Sequence, residues 1–238
     1  MLFFWKNAII KDEIISILLK LIEDYTKYTP RLEELYEDIG ERMVGDIDFL
    51  FSQKDYFKTI DVLKSDNYSK PDNQLNYFPG FRHYSRLVKH NNISALEIHK
   101  EVTIEKYRDE FNCEMISKDT QQINDFSVLS FENQLSLSII TSQINDYGFE
   151  FNRFSLRNAY DVFLLSKKVD TKKVISKFTK LKNPLNCFLA NCNLVFGDLE
   201  SLEYHKTKEA ENKKAREPHS PSSTATTRAN RGRWNSGF

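Results

Sequence analysis

The chain has 238 residues, 40% of them hydrophobic and 29% charged, which is ordinary for a globular protein and long enough to bury a sizeable core. Its 34 basic and 34 acidic side chains cancel, so net charge does not announce a nucleic-acid partner. Three cysteines, Cys113, Cys187 and Cys192, form no C-x-x-C pair and no disulfide framework; they point to a reducing, cytoplasmic setting.

At the N-terminus Met1-Leu2-Phe3-Phe4-Trp5 is apolar, but Lys6 interrupts it and Lys11, Asp12 and Glu13 follow. That is too short for a signal peptide or a membrane span, and the protein is expected to be soluble. From 11 to 28, Ile14, Ile15, Leu18, Leu21, Ile22 and Tyr25 recur with the spacing of an amphipathic helix. Thr29-Pro30 breaks it, and a second helix through Leu32, Leu35 and Tyr36 ends near Gly40.

The centre of the chain is Gly45-Asp46-Ile47-Asp48-Phe49-Leu50-Phe51. In an extended strand alternate side chains share a face, so Asp46 and Asp48 project to one side and Ile47 and Phe49 to the other. Two carboxylates so placed can converge on divalent cations. A solvated strand end is the bland alternative. Ser52 or Asp55 then caps a helix that buries Tyr56, Phe57, Ile60 and Leu63, and residues 69 to 80 read as a loop.

Between Phe81 and Val102 the pattern predicts a β-hairpin, with strands near 82–90 and 93–102 around Asn91-Asn92. Leu96 and Ile98 share one face; Glu97, His99 and Glu101 share the other. Glu97 is the preferred third acid and Glu101 its rival. His99 either positions substrate or water or is a surface histidine. Arg82 and Arg86 alternate along the first hairpin strand, facing either the same cleft or solvent.

Further on, Leu129, Leu135, Leu137, Ile139, Ile140 and Ile144 predict a long buried helix stopped by Tyr147-Gly148. Phe154 to Leu165 predicts another, and Val174, Ile175, Phe178 and Leu181 a third, so that 126 to 205 reads as a helical bundle. From Lys213 the chain carries Lys213, Lys214, Arg216, Arg228, Arg231 and Arg233 against Glu217, six minus one or +5, in a Ser/Thr-rich stretch without apolar period. A disordered basic tail is expected there.

Arg42, Gly45 and the Asp46-Ile47-Asp48-Phe49-Leu50 run, followed by a helix, a hairpin and a later acid in Ala95-Leu96-Glu97-Ile98-His99, resemble the uncharacterised nucleotidyltransferase families of the DNA polymerase β superfamily. The resemblance implies an α+β fold: a polymerase-β-like nucleotidyltransferase domain with a small mixed sheet over 1–110, a helical domain over 111–212 and the tail over 213–238. It implies an enzyme that transfers a nucleoside monophosphate from an NTP to a hydroxyl on an unidentified acceptor, whether protein, RNA or small molecule. Two Mg²⁺ ions would be held by Asp46, Asp48 and Glu97, the catalytic residues. The chain departs from the family upstream, where the small Gly-containing motif that lets backbone approach phosphate is missing and Lys27-Tyr28 stands in place of Lys-Gly. Lys27, Thr29, Arg42 and Gly45 are then the candidate nucleotide contacts. The alternative is a catalytically impaired module of the same fold, such as a toxin–antitoxin partner. No membrane partner is implied, and the helical bundle is the surface for any homo-oligomer or protein partner.

Overall fold

A computed structural model describes residues 3–5, 46–71, 80–90, 95–123 and 126–214, with the backbone alone at 3–5, 46, 122, 123, 126 and 127. The two helices predicted over 11–40, the turn at Asn91-Asn92 and the tail beyond 214 lie outside the described residues.

The strands are β1 (Phe3–Trp5), β2 (Asp46–Leu50), β3 (Ala95–His99), β4 (Thr120–Ile123) and β5 (Phe126–Leu129), in one five-stranded sheet of order β3-β2-β1-β5-β4. β2 runs parallel to both β1 and β3, while β5 is antiparallel to β1 and to β4. The architecture is therefore α+β with a mixed sheet. Trp5 pairs with Leu50 and Asp48 with Glu97, so β2 lies between two parallel neighbours and is central.

Helix α1 (Gln53–Ser65) follows β2 directly. The Ser52 hydroxyl accepts from the Asp55 N–H and donates to the Asp55 carboxylate, which settles the cap on Ser52. Tyr56, Ile60 and Leu63 on its inner stripe pack with Ile47 and Phe49 of β2 and Leu96 and Ile98 of β3. The apolar half of each alternating strand is thus covered, and its polar half turns to the opposite face.

That opposite face meets the helices. Short α2 (Cys113–Ser117) precedes β4, and α3 (Phe131–Ile140) leads into a π-helical turn, Thr141–Asn145. Then come α4 (Leu156–Ser166), α5 (Thr171–Ser176), α6 (Lys182–Phe196) and α7 (Lys208–Lys214). Leu50 at the end of β2 is buried with Leu129, Leu135, Ile139 and Phe188 in the core of this layer. The Asn145 amide donates to the Val102 carbonyl at 3.0 Å, and Thr103 reaches back to Asn145 at 3.5 Å, so the end of the π turn is fastened to the segment leaving β3.

Four expectations about the elements need correction. Phe57, expected on the buried side of α1, is exposed. Leu129 belongs to a strand, and the helix starts only after Ser130, whose hydroxyl accepts from the Asn133 N–H. The third predicted helix is shorter than expected: α5 ends at Ser176, Phe178 and Leu181 lie in the connection after it, and α6 is a separate helix that begins at Lys182 with Pro184 in its first turn, where the missing N–H costs nothing. The 82–90 strand is not a continuous ladder partner of β3 but meets it through isolated bridges, His83 to His99 and Leu87 to Leu96.

Candidate active site

Asp48 and Glu97 are direct neighbours in the β2–β3 register, and His99 lies two residues beyond Glu97 on the same face. Their side chains converge. His99 Nε2 is 2.9 Å from Asp48 Oδ1 and 3.6 Å from Glu97 Oε2. Asp48 is 4% exposed and His99 only 1%, whereas the Glu97 side chain keeps 17% of its surface. The cluster therefore has a dry back at His99 and an open side at Glu97. The surface-histidine reading of His99 is corrected by this burial.

The isolated bridges explain what else reaches the site. From His83 to Leu87 the outer segment advances four residues while β3 advances three, from Leu96 to His99. This is a one-residue bulge, a device that re-aims side chains. An unbroken register from the Leu87–Leu96 bridge would set Tyr84 opposite His99. The slip instead gives Tyr84 to the apolar core and His83 to the site face. The His83 ring then lies 4.9 Å from that of His99, with Nδ1 2.8 Å from the Tyr84 carbonyl and 3.9 Å from Glu97 Oε2. Sequence reasoning missed His83; an odd-numbered partner for His99 is visible only once the bulge is known.

Arg86 Nε lies 3.5 Å from Glu97 Oε1 with its side chain 41% exposed. Arg82 is half-buried, and burial lowers its pKa against the attraction of Asp146, Glu97 and Asp48. Both arginines therefore border the acids rather than face bulk solvent. Asp146, at the end of the π turn, has its own pKa raised by burial, opposed by Arg82 and Arg153.

Burial works to raise the Glu97 pKa, but the hydrogen bond with His99 and the charges of His83, His99 and Arg86 prevail and hold it down to about 2. Burial likewise works to lower His99, and is outweighed by its hydrogen bonds to Asp48 and Glu97, so its pKa is raised. His83 is lowered, by burial first and by His99 next. Glu101, the rival third acid, is occupied elsewhere: its carboxylate accepts from the Cys113 N–H at 3.3 Å, at the start of α2.

Asp46 opens β2 opposite Ala95, but its side chain lies outside the described residues. Lys27, Thr29, Arg42 and Gly45 also lie outside them. Among the described residues, one oxygen each from Asp48 and Glu97 and one His99 nitrogen lie within 4.8 Å of one another, a donor set whose chemistry fits a divalent cation. No helix among the described residues is long and apolar enough to cross a membrane.

No curated protein and no solved structure matches the chain. A family model matches residues 30–197, which include the Asp48–Glu97 pair, and by that match the chain belongs to the family described as uncharacterised nucleotidyltransferases.

Proposed function

We propose that the chain transfers a nucleoside monophosphate from a nucleoside triphosphate to an acceptor hydroxyl, in a polymerase-β-like unit over 1–110 that is followed by a helical unit over 111–212. The observation that carries this reading is the in-register Asp48–Glu97 pair on adjacent parallel strands, bordered by Arg82 and Arg86. Asp48 and Glu97, with Asp46 two residues before Asp48, are the residues that would hold magnesium-class ions. Bound there, such ions supply charge neutralisation on the phosphates and a lowered pKa for the attacking hydroxyl.

The protein's own contribution is preorganisation. Glu97 stays ionised at neutral pH, and two β-strands fix its spacing from Asp48. Arg86, half-exposed beside Glu97, brings positive charge to the open side, where it can meet a phosphate oxygen. Arg82 adds a second cation deeper in. These arginines offset part of what the missing upstream glycine motif would provide. Lys27, Thr29, Arg42 and Gly45 remain the proposed nucleotide contacts from the segment before β2.

The test is transfer from labelled NTPs by the wild type and by an Asp46→Ala/Asp48→Ala variant. Label should move in the wild type only; undiminished transfer in the double variant ends this reading. The near-complete burial of Asp48 favours one alternative, an impaired module that acts by binding a protein. Thermal unfolding with and without ATP and Mg²⁺ separates the two, because a ligand that binds only the native state raises the midpoint.

A further inference from the structure

We propose that His99 is a positioning residue, whose Nε2 is hydrogen-bonded to Asp48 and lies close to Glu97, and which sets the spacing at which the two carboxylates can grip one divalent cation on their open side. The inference rests on the proposed function, and concerns what holds the acids rather than which reaction they run.

Three observations lead to it. First, Nε2 lies 2.9 Å from Asp48 Oδ1 and 3.6 Å from Glu97 Oε2, so one nitrogen addresses both carboxylates. Without a donor between them, a buried and a half-buried carboxylate on adjacent strands repel and would splay or take up a proton. Second, exposure rises from 1% at His99 to 17% for the Glu97 side chain. An ion that also contacts a triphosphate must sit where a triphosphate can reach, which is the Glu97 side. His99 is behind the carboxylates as seen from there. Third, His99 is held at both its main chain and its ring: its backbone carbonyl accepts the Phe51 N–H at 2.9 Å, and the bulge places the His83 ring 4.9 Å from the imidazole. A ring so fixed fixes what it bonds to. Partners of this kind, hydrogen-bonded to metal-holding carboxylates, commonly govern metal affinity by about 10–100-fold.

Mn²⁺ is the probe, since its affinity can be read by calorimetry and any nitrogen bound to it by pulsed electron paramagnetic resonance, both without turnover. Wild type, His99→Gln and His99→Phe are compared, with His99→Met in place of Phe should that variant not fold. Gln keeps an N–H donor at about the reach of Nε2; Phe and Met keep bulk and lose the donor. The expected result is an Mn²⁺ affinity about 10–100-fold weaker in Phe or Met, an affinity within about threefold of wild type in Gln, and no strongly coupled nitrogen in the wild-type signal. Affinity unchanged in Phe or Met overturns the inference, because the carboxylates then need no spacer. A strongly coupled nitrogen that disappears in Gln also overturns it, because His99 is then itself a ligand. Failure of wild type to bind Mn²⁺ at all would instead remove the metal reading under the proposed function, and this inference with it.

Discussion

Asp48 and Glu97 sit side by side on parallel strands, and a single imidazole nitrogen, His99 Nε2, contacts both. Removing Asp48 therefore does more than remove an acid. In Asp48→Ala the buried His99 loses its 2.9 Å acceptor, the shorter of its two carboxylate contacts. A loss of about 1–3 kcal/mol in folding stability is expected for the metal-free protein, read as a lower urea midpoint with unchanged slope. Asp48→Asn, which retains an oxygen acceptor, should lose less stability yet as much transfer activity.

The same cluster gives the metal-free protein a pH signature. His99 has its folded pKa raised above the ordinary 6.5, so its contribution is fully present below about 6.5 and is lost as pH rises through the folded value. Glu97 is lowered from 4.5 to about 2, so its contribution is present above about 4.5 and is lost as pH falls toward 2. Stability attributable to the cluster should plateau between these limits. Urea unfolding in chelator at a series of pH values should show a fall on the alkaline side in wild type that is absent in His99→Phe.

The thiols should be silent in the folded state. Burial pushes Cys113 up to about 12, Cys187 up to about 11 and Cys192 well above its ordinary value. A thiol reagent such as Ellman's, at pH 8, is expected to label none of the three quickly in native protein and all three in denaturant. Rapid labelling of the native protein would contradict this packing.

The turn that follows the π segment has no room for a side chain at Gly148. A Cβ on Gly148 would lie 2.4 Å from the Ser142 carbonyl oxygen and 3.1 Å from the Arg153 carbonyl, both backbone atoms with little room to yield. Gly148→Ala should cost about 1–3 kcal/mol through overpacking, seen as a lower melting temperature. Because Asn145 is bonded to Val102 and the Asp146 charge acts on Arg82, the same variant should also weaken the proposed nucleotide binding in a binding assay.

How far the sequence could be read depended on whether a residue's place is set locally. The β2 and β3 faces were legible because a strand's period of two needs no partner: Ile47, Phe49, Leu96 and Ile98 are buried together, and Asp48 and Glu97 meet opposite them. Leu129 misled, since a short apolar run beside a helix carries no period of its own, and only pairing with β4 makes it a strand. β1 is three residues long and joins strands from distant parts of the chain, so nothing local marks it. His83 was invisible for a different reason. Alternation gave Tyr84 the place opposite His99, and a bulge reversed that parity. The proposed nucleotide contacts Lys27, Thr29, Arg42 and Gly45 lie outside the described residues and stand as the sequence left them.

The slip between His83 and Leu87 also makes this stretch unusually sensitive to length. Deleting one residue there would let a regular ladder keep both bridges with the imidazole still toward the acids, whereas ironing out the bulge at the present length would turn the phenol to the acids and the imidazole into the oily layer above α1. Substitution scans alone would miss this. The spacing between those two positions is itself a determinant of the pocket, as much as the identity of any side chain in it.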